Sequence, residues 1–123
     1  MTTAAGTKPQ LRIRLMQGRA IAVGPGKADL LAAIAATGSI AAAGRAMGMS
    51  YKRAWYLIDT MNHCFRDPLV QASKGGKGHG GAQLTPMGEQ VLSLYRAIAA
   101  QAEATPEMAC FTALLADAPP GTA

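Results

Sequence analysis

Apolar and polar positions change period several times along the chain. Leu11-Arg12-Ile13-Arg14-Leu15-Met16 alternates at period two, which predicts a half-buried strand with Leu11, Ile13 and Leu15 inward. Gln17-Gly18-Arg19 reads as a turn and Ala20–Val23 as a short partner strand. Gly24-Pro25-Gly26 breaks that pattern, and Leu30, Leu31 and Ile34 then follow at helical spacing. The first helix is expected from about Gly26 to Thr37, with Gly38 as its left-handed terminator. Ser39 can cap a short second helix, to Met47, rich in small side chains. Gly48 supplies a tight turn, and Ser50 caps a third helix running to His63 or Cys64. Ala54, Ile58 and Met61 form its inner face at i, i+4 and i+7.

Arg66-Asp67-Pro68 ends that helix. Leu69–Ser73 reads as a strand, KGGKGHGG as a loop and Ala82–Leu84 as a returning strand. Thr85-Pro86 opens a long fourth helix, to about Ala104, with Val91, Tyr95, Ile98 and Ala102 along one stripe. Thr105-Pro106 repeats the same start for a short segment carrying Met108, Phe111, Leu114 and Leu115. Two short helices joined through a glycine turn make a helix-turn-helix, and a β-hairpin directly after it is a wing. The expected fold is α+β, mainly helical: a winged helix-turn-helix with an N-terminal strand hairpin, a glycine-rich wing and a long C-terminal helix. The domain occupies residues 11–104. Residues 1–10 are expected to be a flexible tail, 105–117 a short C-terminal helix available as a dimer contact, and 118–123 a disordered tail.

Composition narrows the chemistry. A chain of 123 residues is normally one domain. Residues 1–81 hold eleven Lys/Arg against three Asp/Glu, a balance of +8, whereas residues 82–123 hold one Arg against four acids, a balance of −3. One-sided basic charge suits a polyanion. Two cysteines, Cys64 and Cys110, make no disulfide framework, and MTTAAGTKPQ lacks the apolar stretch of a signal peptide. No apolar run is long enough to span a membrane. The expected setting is cytoplasmic.

Residues 76–81, GKGHGG, satisfy the G-x-G-x-x-G spacing of a dinucleotide loop. That motif must follow a strand and open a helix, whereas here it leads into a strand, so the match is accidental. At a wing tip, glycine admits positive φ and lets backbone N–H groups approach phosphates, while Lys74 and Lys77 add charge and His79 a further donor. In the third helix Ser50 caps, and Tyr51, Lys52, Arg53, Trp55 and Tyr56 are left for the outer or flanking face. Arg53 suits a two-bonded contact to guanine and Lys52 a phosphate; Tyr51 and Tyr56 suit phosphate or sugar, and Trp55 either packing or contact. Arg45 on the second helix suits the backbone that this helix would cross. Arg12 and Arg14 read as solvated.

Thr37–Asn62, TGSIAAAGRAMGMSYKRAWYLIDTMN, resembles the helix-turn-helix of the LysR and ModE regulators. GSIAAAGRAMGMSYKRAW and the glycine wing LVQASKGGKGHGGAQL are closer to ModE, the molybdate-responsive transcription regulators. The resemblance covers about residues 10–100. It implies sequence-specific binding of double-stranded DNA by a transcription regulator, with repression of molybdenum-related genes as the expected role. A homodimer on an inverted-repeat operator is expected because a single module buries too little DNA surface, and the apolar stripe of Pro86–Ala104 with Met108–Leu115 offers a face for a second copy. Its DNA-binding residues would be Arg45, Ser50, Tyr51, Lys52, Arg53, Trp55, Tyr56, Lys74, Lys77 and His79. ModE regulators continue into C-terminal molybdate-binding domains, which this sequence does not contain, so it reads as a stand-alone form and no cofactor is assigned to it. Alternatives are a small metal- or oxyanion-responsive sensor and a protein–protein module on the same fold. His63, Cys64 and Met61, with His79, Met108 and Cys110 elsewhere, lack a ligand spacing, so no metal is assigned. No nucleophile–base grouping appears, so the chain is expected not to be an enzyme.

Overall fold

The computed structural model describes residues 9–73 and 81–117. Its elements run β1 (Leu15–Gln17), β2 (Ala20–Val23), α1 (Pro25–Thr37), α2 (Ile40–Ala46), α3 (Tyr51–Cys64), β3 (Val70–Ser73), β4 (Gly81–Leu84), α4 (Pro86–Glu103) and α5 (Pro106–Leu114). The fold is a winged helix-turn-helix, α+β and mainly helical. Its strands form two separate antiparallel pairs, β1 with β2 and β3 with β4.

Local chemistry sets the boundaries. Pro25 opens α1, and Gly38 closes it at φ +70° while its N–H donates to the Ile34 carbonyl. Ser39 Oγ accepts from Ala42 N at 3.0 Å, and Ser50 Oγ accepts from Arg53 N at 3.0 Å, so both helices of the motif start on serine caps. Between them Gly48 turns the chain at φ +70°. Gly44 permits the close approach of α2 to α3, because a Cβ there would lie 3.3 Å from the Met49 carbonyl oxygen and 3.5 Å from Ala54 Cβ.

The core lies where α1, α2 and α3 meet the wing. Leu30, Leu31, Ile34, Ile58, Met61 and Leu69 are fully buried, joined by Ala43, Ala54, Val70, Ala82 and Leu84. The inner face expected of α3, Ala54, Ile58 and Met61, is the face that packs. No buried residue among those described is polar or charged.

The wing's base is fastened on three sides. Ala82 N donates to the Gly38 carbonyl at 2.9 Å, tying β4 to the end of α1. Asn62 on α3 bridges to β3: Oδ1 accepts from Leu69 N (2.8 Å) and Val70 N (3.2 Å), and Nδ2 donates to Val70 O (3.2 Å). Thr85, the cap of α4, donates through its hydroxyl to Pro68 O and through its N–H to Leu69 O. α4 approaches β3 so closely that a Cβ on Gly88 would overlap the Leu69 carbonyl oxygen.

Two expectations need correction. The first strand begins at Leu15 rather than Leu11, and Leu15 is exposed, not inward. Residues 11–14 find hydrogen-bond partners on α4 instead of on a strand: Leu11 N donates to Glu103 Oε2 (3.0 Å), and Tyr95 Oη donates to Ile13 O (2.7 Å). Leu11 and Ile13 do turn inward, both half-buried while Arg12 and Arg14 are exposed; the alternation fails at Leu15, where β1 is only three residues long and irregular in register between Leu15 and Met16. The second correction concerns the C-terminal stripe. Val91, Tyr95 and Ala102 are half-buried, but Leu94 and Ile98 are exposed, as are Phe111, Leu114 and Leu115.

Candidate nucleic-acid interface

The third helix carries most of the candidate side chains. Its Ala54–Ile58–Met61 face is anchored in the core, so Tyr51, Lys52, Arg53, Trp55 and Tyr56 are turned outward, and all five are exposed. Tyr51 and Trp55, one turn apart, meet edge to face with ring centroids 6.4 Å apart and planes at 81°. Trp55 is therefore braced by Tyr51 while keeping part of its ring in solvent. Ser50 is spent on its cap bond to Arg53 N. Arg45 is exposed near the end of α2.

Arg53 has a setting that the sequence did not disclose. It lines a cleft of about 630 Å³ together with Arg12, Arg14 and Lys27, over Gly24–Gly26 at the start of α1. Lys27 is half-buried, and its ammonium donates to the Ile21 carbonyl. Burial lowers its pKa from the ordinary lysine value; Cys64 opposes that shift and the neighbouring Arg53 adds to it. The signal for Lys27 was present as the first charge after the Gly-Pro-Gly break, but nothing in the linear pattern brought it to Arg53. Asn62 was missed too, since an asparagine on a helix flank gives no periodic sign of bracing a strand.

Lys74, Lys77 and His79 lie outside the described residues. The strands that flank them are described, and they pair from Val70 with Leu84 at the base to Ser73 with Gly81 at the far end.

His63 Nδ1 lies 2.7 Å from the Asp59 carbonyl oxygen and 3.6 Å from Asp59 Oδ1, so this imidazole is engaged on its own helix. Cys64 is half-buried and Cys110 is exposed on α5. Among the described residues no three His, Cys, Asp or Glu side chains gather where they could hold a metal. Among them, too, no helix is long and apolar enough to cross a membrane.

The sequence profile of the bacterial regulatory helix-turn-helix proteins, lysR family, matches residues 27–89, from the first turn of α1 to the first turn of α4. The chain belongs to this family. The matched stretch holds the whole helix-turn-helix and the wing, and leaves out β1, β2 and most of α4. Similar proteins include the molybdenum-pterin-binding protein MopB of Rhodobacter capsulatus, 50% identical over 78 residues, or 63% of this chain and 29% of that protein. The molybdenum transport protein ModE of Azotobacter vinelandii is 46% identical over 69 residues, 56% of this chain and 26% of its own length. The DNA-binding transcriptional dual regulator ModE of Escherichia coli K12 is 43% identical over 75 residues, 61% of this chain and 29% of its own. The chain thus spans less than a third of the length of these relatives. The ModE-type resemblance read from SYKRAW and the wing agrees with them.

Proposed function

We propose that this chain binds double-stranded DNA in a sequence-specific way and acts as a transcription regulator of the ModE type. The single observation that carries the reading is α3: a serine-capped helix buried on one face, with Tyr51, Lys52, Arg53, Trp55 and Tyr56 all exposed on the other. Such a helix is dimensioned for the major groove. Arg53 is assigned to a guanine edge, Lys52 to a phosphate, and Tyr51, Tyr56 and the partly exposed Trp55 to the sugar–phosphate backbone beside it. Ser50 holds the helix start, and Arg45 meets the backbone where α2 crosses it. Lys74, Lys77 and His79 on the wing add contacts that do not depend on sequence. The relatives' names, with their reference to molybdenum, make genes of molybdenum handling the first candidates for regulation, with repression as the mode. The reading assigns no catalytic step to the chain and places it in the cytoplasm with the DNA.

The chain works as a homodimer on an inverted repeat. Leu15, Met16, Leu94, Ile98, Phe111, Leu114 and Leu115 are exposed apolar side chains on β1, α4 and the 105–117 segment. Ile13, Leu15, Val91, Leu94 and Ile98 also line an apolar groove of about 320 Å³. Apolar surface of this kind is favourably covered by a second copy.

Titrating a duplex that carries a bound site into the isotopically labelled chain tests the assignment. Amide shifts are expected to concentrate in the first two turns of α3 and on the strands of the wing, leaving α5 unchanged. Shifts confined to α4 and α5 would contradict it.

A further inference from the structure

The cleft between the N-terminal segment and α3 is lined from both and from the start of α1, on ground that the wing's described residues do not reach. Four cationic side chains from three separate stretches converge on it: Arg12 and Arg14 before β1, Lys27 in α1, and Arg53 in α3. The stem of Arg14 passes close to Gly24, its Cγ 3.2 Å from the position a Cβ there would take. Among the described residues none of the four has a carboxylate within ion-pair distance; the one such pair is His63 with Asp59, elsewhere on α3. Asp29 and Glu103 border Arg12 in the adjoining groove toward α4 without pairing with it. Four like charges on one cleft, none of them ion-paired, repel one another, and an anion seated there relieves that repulsion.

The geometry points to a DNA backbone phosphate: we propose that Arg12, Arg14 and Lys27 form a phosphate clamp beside the recognition helix. This rests on the DNA-binding reading above and extends it to a segment that begins outside the matched family region. Two observations favour a phosphate of a polymer over a free oxyanion. The cleft is open and Arg12, Arg14 and Arg53 are exposed, with no fully buried polar side chain to desolvate and enclose a small ion. The cleft also shares Arg53, and Met49 just before α3, with the face assigned to bases, so a strand followed by α3 would run past it. The clamp contributes charge and register, not base reading.

The test uses the full chain and duplexes bearing the selected site or random sequence. The double variant Arg12→Gln/Arg14→Gln removes two exposed charges and keeps every hydrogen bond of the core; its thermal melt serves as the folding control. Removing one phosphate contact lowers the slope of log K against log salt by about 0.9. The expected result is a slope reduced by about one to two units, affinity down by about tenfold or more at low salt for both duplexes, and an unchanged ratio between them. Arg12→Lys/Arg14→Lys should restore most of the slope. A methylphosphonate scan of the duplex should find one position, flanking the base-read segment, that weakens the wild type but not the double variant. If the wild type binds duplex and the double variant keeps its slope, the clamp is overturned while the DNA-binding reading stands. If the wild type binds no duplex, both fail. If inorganic phosphate at constant ionic strength saturates the Gly26 and Lys27 amide shifts at micromolar concentration while the slope is unchanged, the cleft is a small-oxyanion site and the clamp is overturned.

Discussion

Gly88 has a proton where any other side chain would meet the Leu69 carbonyl oxygen. On an exposed helix, alanine would gain about 1 kcal/mol over glycine. Here the overlap is with backbone held by Thr85 N, so it cannot be relieved by turning a side chain. Gly88→Ala is expected to destabilise the chain by about 3 kcal/mol or more, read from urea unfolding. Tyr95 shows the opposite kind of constraint, a single bond that replaces a strand. Burial raises its phenol pKa above the usual value, the nearby Arg12 opposes the shift, and Asp29 adds to it. With the folded pKa raised, the contribution of Tyr95 is complete below the ordinary tyrosine value of about 10 and is lost as pH climbs through the folded one. Tyr95→Phe should cost about 1 kcal/mol near neutral pH and flatten the decline of stability at alkaline pH. The proposed function assigns Arg53 to a guanine edge, so Arg53→Ala should relax base preference and cost about 1–3 kcal/mol of binding. Equal preference in variant and wild type would mean that the register assigned to α3 is wrong.

At the level of elements, local signals and long-range partners differ in how well the sequence displays them. Ser39, Ser50 and Thr85 cap their helices as their positions implied, and Gly38 and Gly48 take the left-handed conformations that their turns require. These are short-range effects, settled within four residues. The inner face of α3 was legible for the same reason, since one period of 3.6 orders all of it. Residues 11–14 were legible only in part: Leu11 and Ile13 turn inward as the alternation implies, but a strand forms only where a partner strand takes up the backbone, and here Tyr95 and Glu103, distant in the chain, take it instead. The cleft was not legible, because Arg12, Arg14, Lys27 and Arg53 converge only after α1 and α3 have packed. Asn62 is likewise a product of tertiary contact, joining the recognition helix to the first wing strand through three hydrogen bonds. Asn62→Ala would strand the Leu69 and Val70 N–H groups at a cost of about 1–3 kcal/mol, and should speed hydrogen exchange at Val70 more than at Ile58.

For the whole molecule, charge and apolar surface divide the work. The basic excess belongs to residues 1–81, which hold the helix-turn-helix, the cleft and most of the wing, while the acidic balance belongs to residues 82–123, with α4 and α5. Exposed Leu94, Ile98, Phe111, Leu114 and Leu115 lie on the less basic part. A dimer formed there leaves both basic faces free for one duplex. Ile98→Asp should therefore sediment as a folded monomer at concentrations where the wild type is dimeric, and should lose affinity for a two-half-site duplex far more than for a single half-site.

Sequence-specific reading of DNA by a dimer is tested by selecting bound duplexes from a random-sequence pool with the full chain. The predicted result is enrichment of an inverted repeat whose half-sites are centred about one helical turn, or 34 Å, apart. Recovery of unenriched sequence, with binding that salt abolishes equally for every duplex, would contradict it.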